Sequence, residues 1–164
     1  MSLRKLALLA ALVMSWAVAG AISTAAADSP LVTTAHTLTL VPGAVLDSRT
    51  AGGNTFIDQN ICGSASFANG GSYSFCETVL LILHPNNTWV FSGKGEYTGS
   101  YPGSYPGCGP ESGEFEITGG GVVTPGGLVG DSYHVVDIGS SGNPGFHSVD
   151  AGSDFTSGTV TYGC

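Results

Sequence analysis

Three glutamates are the first residues of this sequence that could carry acid–base chemistry. Glu114 and Glu116 lie two residues apart in an alternating segment, and Glu96 lies on the polar side of another. Retaining glycosidases need two carboxyl groups about 5 Å apart on opposite sides of a cleft, whereas neighbours on one strand face usually point into water. We therefore assign no catalytic residue. A small hydrolase or isomerase that uses these carboxylates, together with His134, is an alternative to a protein without enzymatic activity.

Other catalytic and metal-binding patterns are missing from the sequence. The histidines have no H-x-H or H-x-x-x-H spacing, and the cysteines have no C-x-x-C spacing of the kind a zinc site uses. No serine lies in a G-x-S-x-G turn. Asp150 and Asp154 bracket Ala-Gly-Ser, which lacks the alternating oxygen ligands of a calcium loop. The sequence thus predicts no metal and no other cofactor.

Aromatic residues are better candidates for a binding site. Tyr101 and Tyr105 belong to a tandem Gly-Ser-Tyr-Pro repeat at 99–107, whose prolines and glycines predict an extended loop. The alternative to a binding role is that these tyrosines fold back onto the sheet. Trp89 and Tyr97 share one face of the strand predicted just before it. Tyrosine offers a flat, amphipathic contact surface at low entropic cost. We expect these four residues to contact an extracellular protein, a glycan or a small apolar molecule, at the loop or at the mouth of a barrel.

The sequence contains four cysteines, Cys62, Cys76, Cys108 and Cys164. An even number of cysteines in an exported chain predicts two disulfides. Three pairings are possible. We favour Cys62–Cys76, which closes a local loop, and Cys108–Cys164, which ties Cys164 to a loop rich in proline and glycine. A rigid loop around Cys108 also suggests a second functional hypothesis, an extracellular protease inhibitor, because a preorganised loop loses little entropy on binding.

The first 27 residues have the pattern of a cleaved secretion signal. Arg4 and Lys5 precede an uncharged, strongly apolar run from Leu6 to Ala19, and Ala25-Ala26-Ala27 supplies the small residues at a cleavage site. A membrane-spanning segment needs about 20 apolar residues, and polar residues interrupt this run earlier. No cysteine lies near the cleavage site to carry a lipid anchor. We expect residues 28–164 to be released as one secreted β domain.

The charge of the expected mature chain limits its partners. All 12 acidic residues lie after position 27, whereas only two of the four strong bases, Arg49 and Lys94, do, so the mature net charge is 2 minus 12, or −10. Such a chain repels phosphate backbones and therefore lacks the main source of affinity for nucleic acid. Anionic membrane surfaces are disfavoured for the same reason.

Short alternating segments separated by glycine, proline and asparagine turns predict an all-β, antiparallel fold. The clearest unit is a hairpin with its turn at Pro85-Asn86-Asn87, which places Leu83 opposite Trp89 and Leu81 opposite Phe91. Glycines within strands indicate bends or close approaches, as in a barrel. We predict a small antiparallel β-barrel of about eight strands, with a two-sheet sandwich as the alternative. The predicted strands, including the two of this hairpin, are Thr34–Val41, Thr55–Asp58, Tyr73–Cys76 leading into Thr78–Leu83, Thr88–Thr98, Gly113–Thr118, Gly121–Thr124, Asp131–Ile138 and Thr156–Tyr162.

The segment from Thr88 to Thr98 resembles strands of lipocalin-like and allene-oxide-cyclase-like barrels. No diagnostic motif of either family accompanies it, so the resemblance implies no roles for particular residues.

Overall fold

Alternation of large apolar and polar residues places one face of each strand in a common interior. The segment Thr88–Ser100 shows this most clearly, because Trp89, Phe91 and Tyr97 are buried while Val90 and the polar residues on its other face are exposed. In a strand, successive side chains point to opposite sides. A sheet with one such apolar face must cover it, and closing the sheet on itself does so without leaving an edge strand.

The computed structural model describes residues 31–102, 108, 110–140 and 145–164. The predicted signal peptide, 1–27, lies outside this range, as does Tyr105. The described residues form eight strands: β1 (Val32–Ala51), β2 (Asn54–Phe67), β3 (Ser72–Leu83), β4 (Thr88–Ser100), β5 (Pro110–Thr124), β6 (Gly127–Ser140), β7 (His147–Gly152) and β8 (Ser157–Gly163).

The eight strands pair in sequence order to form one closed antiparallel barrel. Closure occurs where Val32–Thr37 of β1 pairs with Ser157–Tyr162 of β8. The predicted barrel is confirmed and the sandwich alternative is wrong. No helix in the described part of the chain is long and apolar enough to cross a membrane.

The barrel has two different ends. We call the end that holds the start of β1 and the β2–β3 turn the lower end, and the opposite end the upper end. The upper half of β1 extends beyond β8: Leu38 donates its backbone N–H to the carbonyl of Thr156, and β1 continues to Ala51 paired with β2. The described pairing therefore leaves the barrel wall less complete at its upper end than at its lower end.

The predicted β3–β4 hairpin has the expected register. Leu83 pairs with Trp89 and Leu81 pairs with Phe91, and His84 donates its backbone N–H to the carbonyl of Thr88 across the turn. Asn87 adopts a positive φ of 60° in this turn, a conformation that asparagine tolerates better than most residues.

Some strand boundaries differ from the prediction. The two segments predicted at 113–118 and 121–124 form the single strand β5, because Gly119, Gly120 and Gly121 continue the pairing with β4. Strand β7 was not predicted. Both β1 and β2 are much longer than the segments Thr34–Val41 and Thr55–Asp58.

The structure contains two disulfides, Cys62–Cys76 and Cys108–Cys164. This is the pairing favoured from the sequence among the three that are possible. Cys62 and Cys76 face each other directly across β2 and β3. Cys108–Cys164 joins the segment before β5 to the end of β8 at the lower end of the barrel.

Gly93 and Gly95 lie on the inner face of β4, where a side chain has no room. A Cβ atom on Gly95 would lie 2.7 Å from Cβ of Glu77 and 2.7 Å from Cζ of Phe115. A Cβ atom on Gly93 would lie 2.7 Å from Cγ1 of Val79. The glycines therefore give the inward side chains of β3 and β5 their space, rather than marking a bend alone.

We expect Gly95→Ala to destabilise the barrel by about 1–3 kcal/mol, the usual cost of overpacking a filled interior. Gly139→Ala is the matched control, because a Cβ atom at Gly139 meets nothing within 4 Å and the substitution there should change stability by no more than about 1 kcal/mol. Urea unfolding of both variants measures the difference. Equal stability of the two variants would contradict the packing described here.

Candidate functional site in the barrel interior

The barrel encloses a cavity of about 540 Å³. This volume lies within the range of about 300–1,000 Å³ typical of small-molecule sites. Its lining is mainly aliphatic and aromatic, and all eight strands contribute. The principal lining residues are Leu38, Leu40, Ile61, Phe75, Val79, Leu81, Trp89, Phe91, Phe115, Ile117, Tyr133, Val135, Phe155 and Val160.

Packed aromatic rings close the lower end of the barrel. The Tyr101 ring lies 4.8 Å from that of Phe146, 5.0 Å from that of Tyr162 and 5.5 Å from that of Phe67, measured between centroids. The four residues are buried. Tyr162 donates its hydroxyl hydrogen to the carbonyl of Pro102, so the chain after β4 is fixed across this end.

A second aromatic group lies toward the upper end. The Phe155 ring, from the turn between β7 and β8, lies 5.5 Å from that of Phe91, 5.7 Å from that of Trp89 and 5.4 Å from that of Tyr133. Trp89 donates its indole N–H to the backbone carbonyls of Val122 and Val129. These contacts hold the rings of the upper wall in place.

Exposed residues reach the cavity at the upper end. Pro42, Leu128, Val129 and Thr156 line the cavity and are also exposed to solvent. They lie on the extension of β1, the β5–β6 hairpin and the β7–β8 turn. This part of the upper end is therefore the mouth of the cavity.

The most unusual lining residue is Glu77, on the inner face of β3. Only 6% of Glu77 is exposed, and its Oε2 atom has no hydrogen-bond partner among the described residues. Glu77 pairs with Ile61 on one side and with Gly95 on the other. Its Cβ atom and Cζ of Phe115 each lie 2.7 Å from the position that a Cβ atom would take on Gly95. Burial among these apolar groups raises the pKa of Glu77 to about 7, because a carboxylate loses its hydration there.

A second acid in the cavity lining, Asp150, has a hydrogen-bond partner on each of its carboxylate oxygens. Asp150, on β7, accepts a hydrogen bond from Nε2 of His36 at 2.7 Å and from the hydroxyl of Tyr73 at 2.6 Å. The Tyr133 hydroxyl lies 3.3 Å from His36 Nε2 and 3.4 Å from Asp150. Burial, and then the negative charge of Asp150, raise the pKa of Tyr73 and of Tyr133. Both tyrosines therefore stay neutral donors.

The described aromatic candidates from the sequence all lie in the cavity wall. Trp89, Tyr97 and Tyr101 line the cavity and are 6%, 6% and 3% exposed. Tyr101 lies outside the strands at the start of the predicted loop, and its burial agrees with the alternative in which the tyrosines of this loop fold back onto the sheet. Tyr101 follows directly after β4 and continues the inward side of that strand, so its ring packs into the lower end of the barrel. Tyr105 is outside the described residues.

The carboxylates suggested for catalysis lie on the outer surface. Glu96, Glu114 and Glu116 are exposed, as is His134. Glu96 pairs with Glu114 across β4 and β5, and Glu116 forms an ion pair with Lys94 at 2.6 Å. None of the four lines the cavity. The buried acids of the cavity lining, Glu77 and Asp150, are different residues from those that the sequence pattern suggested.

No group of three or more histidine, cysteine or acidic side chains suited to holding a metal ion occurs among the described residues. No protein-family model, curated protein or solved structure matches the chain. The geometry of the cavity is therefore the basis for the function considered below.

The raised pKa of Glu77 makes the stability of the barrel depend on pH. The carboxyl titrates near 4.5 when unfolded and near 7 when folded, so the folded state favours the protonated form. The contribution of Glu77 to the free energy of unfolding is fully present below about pH 4.5 and is lost as the pH rises from there through 7. This loss amounts to about 3 kcal/mol.

We expect Glu77→Gln to remove this component. Urea unfolding at pH 5 and pH 8 should show that the variant gains stability relative to the wild type by about 2–3 kcal/mol as the pH rises. Glu114→Gln, which removes the same charge from the outer surface, should keep the pH dependence of the wild type. If both variants followed the wild-type curve, Glu77 would not be buried as described.

We expect Asp150→Asn to destabilise the protein by about 1–3 kcal/mol. Asparagine has one side-chain oxygen, so either His36 Nε2 or the Tyr73 hydroxyl would lose the oxygen that accepts its hydrogen bond. Asp131→Asn, at an exposed position of β6, is the control and should change stability by no more than about 0.5 kcal/mol. Thermal and urea unfolding measure both. An Asp150→Asn variant as stable as the control would contradict the network.

Proposed function

We propose that the chain is an exported binding protein that holds a small, mainly apolar molecule inside the barrel. The observation that carries this proposal is the apolar cavity of about 540 Å³ within a closed sheet. A well-packed eight-stranded barrel either fills its interior with side chains or keeps room for one small ligand. An apolar cavity with few polar groups is the usual form of a small-molecule site.

The distribution of polar groups in the lining supports a ligand that is mostly hydrocarbon. The hydrogen-bonding capacity of Asp150 is used by protein groups, and the indole N–H of Trp89 is used by backbone carbonyls. Glu77 presents an unpaired polar atom. A glycan, which needs many hydrogen-bond partners, suits this interior poorly.

Export is supported by two features of the chain. The pattern of residues 1–27 is that of a secretion signal, and two disulfides are compatible with an oxidising compartment. The protease-inhibitor hypothesis depends on the segment 105–111, most of which lies outside the described residues. The catalytic hypothesis based on Glu96, Glu114 and Glu116 has less support than the binding proposal. Glu96 and Glu114 line a second, more open pocket of about 470 Å³, but Glu116 does not belong to it and is paired with Lys94.

Filling the cavity should abolish binding. Val135 lines the cavity, whereas the next residue on β6, Val136, lies on the outer face and is 36% exposed. We expect the wild type and Val136→Trp to bind the neutral, apolar dye Nile red with a saturable rise in emission. Val135→Trp should bind at least about tenfold more weakly, a loss of about 1.4 kcal/mol.

Thermal unfolding of both variants checks that the fold is kept. Binding that is unchanged in a folded Val135→Trp variant would place the dye outside the barrel and count against the proposal. The absence of saturable binding to the wild type would count against it more directly.

A further inference from the structure

We propose that the cavity is selective for an apolar amine, whose ammonium group is held by the carboxylate of Glu77. This inference rests on the proposed function and specifies the chemical class of its ligand. Three independent features of the cavity support it: an unpaired carboxyl group, an excess of negative charge, and a wall of aromatic rings.

The first feature is the unused bonding capacity of Glu77. Its Oε2 atom is buried without a partner, and a buried polar atom left in this state is unfavourable. An ammonium group carries three donors and no acceptor, so it satisfies this atom and neutralises its charge together. Hydrogen bonds between two charged groups are about twice as strong as neutral ones, so an amine gains more here than an alcohol of the same shape.

The second feature is the sign of the charge around the cavity. Glu77, Asp150 and Asp154 belong to its lining. The described residues include two strong bases, Arg49 and Lys94; neither lines the cavity, and their side chains are 53% and 73% exposed. A ligand that carried a carboxylate would therefore meet like charge and no basic side chain, whereas a cation is attracted.

The third feature is the aromatic wall beside Glu77. Phe115 adjoins the Glu77 side chain, and Phe75 lies against Phe115 with ring centroids 5.8 Å apart. Trp89, Phe91 and Tyr133 continue the wall toward the mouth. The faces of aromatic rings attract cations, and the attraction is strongest when water is excluded. The same rings pack against the hydrocarbon part of an amine.

Binding of the cation should depend on pH through Glu77. The titratable groups that share the cavity are Tyr73, Tyr97, Tyr101, Tyr133, Asp150 and Asp154, with His36 behind Asp150. Burial raises the pKa of each of the four tyrosines. Hydrogen bonds from Thr156 and Ser157, where the turn between β7 and β8 meets β8, lower the pKa of Asp154. These five groups keep one form near neutral pH. The strands β2 and β5 place no titratable side chain in the cavity; they contribute Gln59, Ile61, Phe115 and Ile117.

The test compares three ligands with one hydrocarbon skeleton: phenylbutylamine, phenylbutanol and phenylbutyrate. Isothermal titration calorimetry at pH 8 should show the amine binding about tenfold more tightly than the alcohol, and the acid more weakly than the alcohol. Below pH 7 the affinity for the amine should fall about tenfold per pH unit, because a proton must leave Glu77. At pH 6, titrations in two buffers of different ionisation heat should detect this released proton.

Glu77→Gln should remove the preference for the amine and its pH dependence, while the alcohol binds within about threefold of its wild-type affinity. Glu114→Gln, with the same loss of charge outside the cavity, should retain both properties. The wild-type pH series tests the inference even if the Glu77 variant does not fold.

The possible outcomes separate the two proposals. If the alcohol binds as tightly as the amine, or if Glu77→Gln keeps the preference for the amine, the selectivity for amines is wrong and the binding function stands. If neither the three ligands nor Nile red binds the wild type, the binding function fails and this inference fails with it.

Discussion

The pairing of β1 with β8 is the constraint on which the rest of the structure depends. Six residues of β1, Val32–Thr37, close the sheet against Ser157–Tyr162, and closure converts the inner face of every strand into the wall of one cavity. The disulfide between Cys108 and Cys164 fastens the chain just beyond the end of β8. Without closure, Glu77 and Asp150 would lie on the open face of a sheet in contact with water.

Closure also explains why the two buried acids of the cavity lining, Glu77 and Asp150, differ. Asp150 lies on β7, close to the seam, where His36 from β1 and Tyr73 from β3 reach it from the two sides. Glu77 has Ile61, Gly95 and Phe115 as its neighbours. The first acid is therefore part of the structural framework. The second is kept in an apolar site at a cost to stability above neutral pH, which is typical of groups retained for binding or chemistry.

The sequence predicts the strands with large alternating residues and misses those in which the alternation is inverted. The register of the β3–β4 hairpin was predictable because two large aromatic residues, Trp89 and Phe91, mark which face of β4 is buried. Strand β7 was not predictable, since its residues in the cavity lining are the polar Ser148 and Asp150, while Val149 is 41% exposed. Glu77 was missed for a related reason: the apolar run that follows it obscures which face of β3 is inward. Hydrophobic pattern alone cannot identify a buried acid, because the pattern assigns acids to the surface.

The profile of side-chain size along β4 accounts for the packing of the inward side chains from its neighbouring strands. Its inward residues run from Trp89 and Phe91 through Gly93 and Gly95 to Tyr97, so bulky rings at both ends flank a middle without side chains. The pairing of Glu77 with Gly95 puts the carboxyl group at this middle level, where Phe115 enters from the other side. The glycines that the sequence marks as strand irregularities are thus what leaves space for the acid. A larger residue at position 95 would meet both Glu77 and Phe115. The small residue at this position is therefore a condition for placing the carboxyl group of Glu77, whose Oε2 atom is buried without a partner among the described residues.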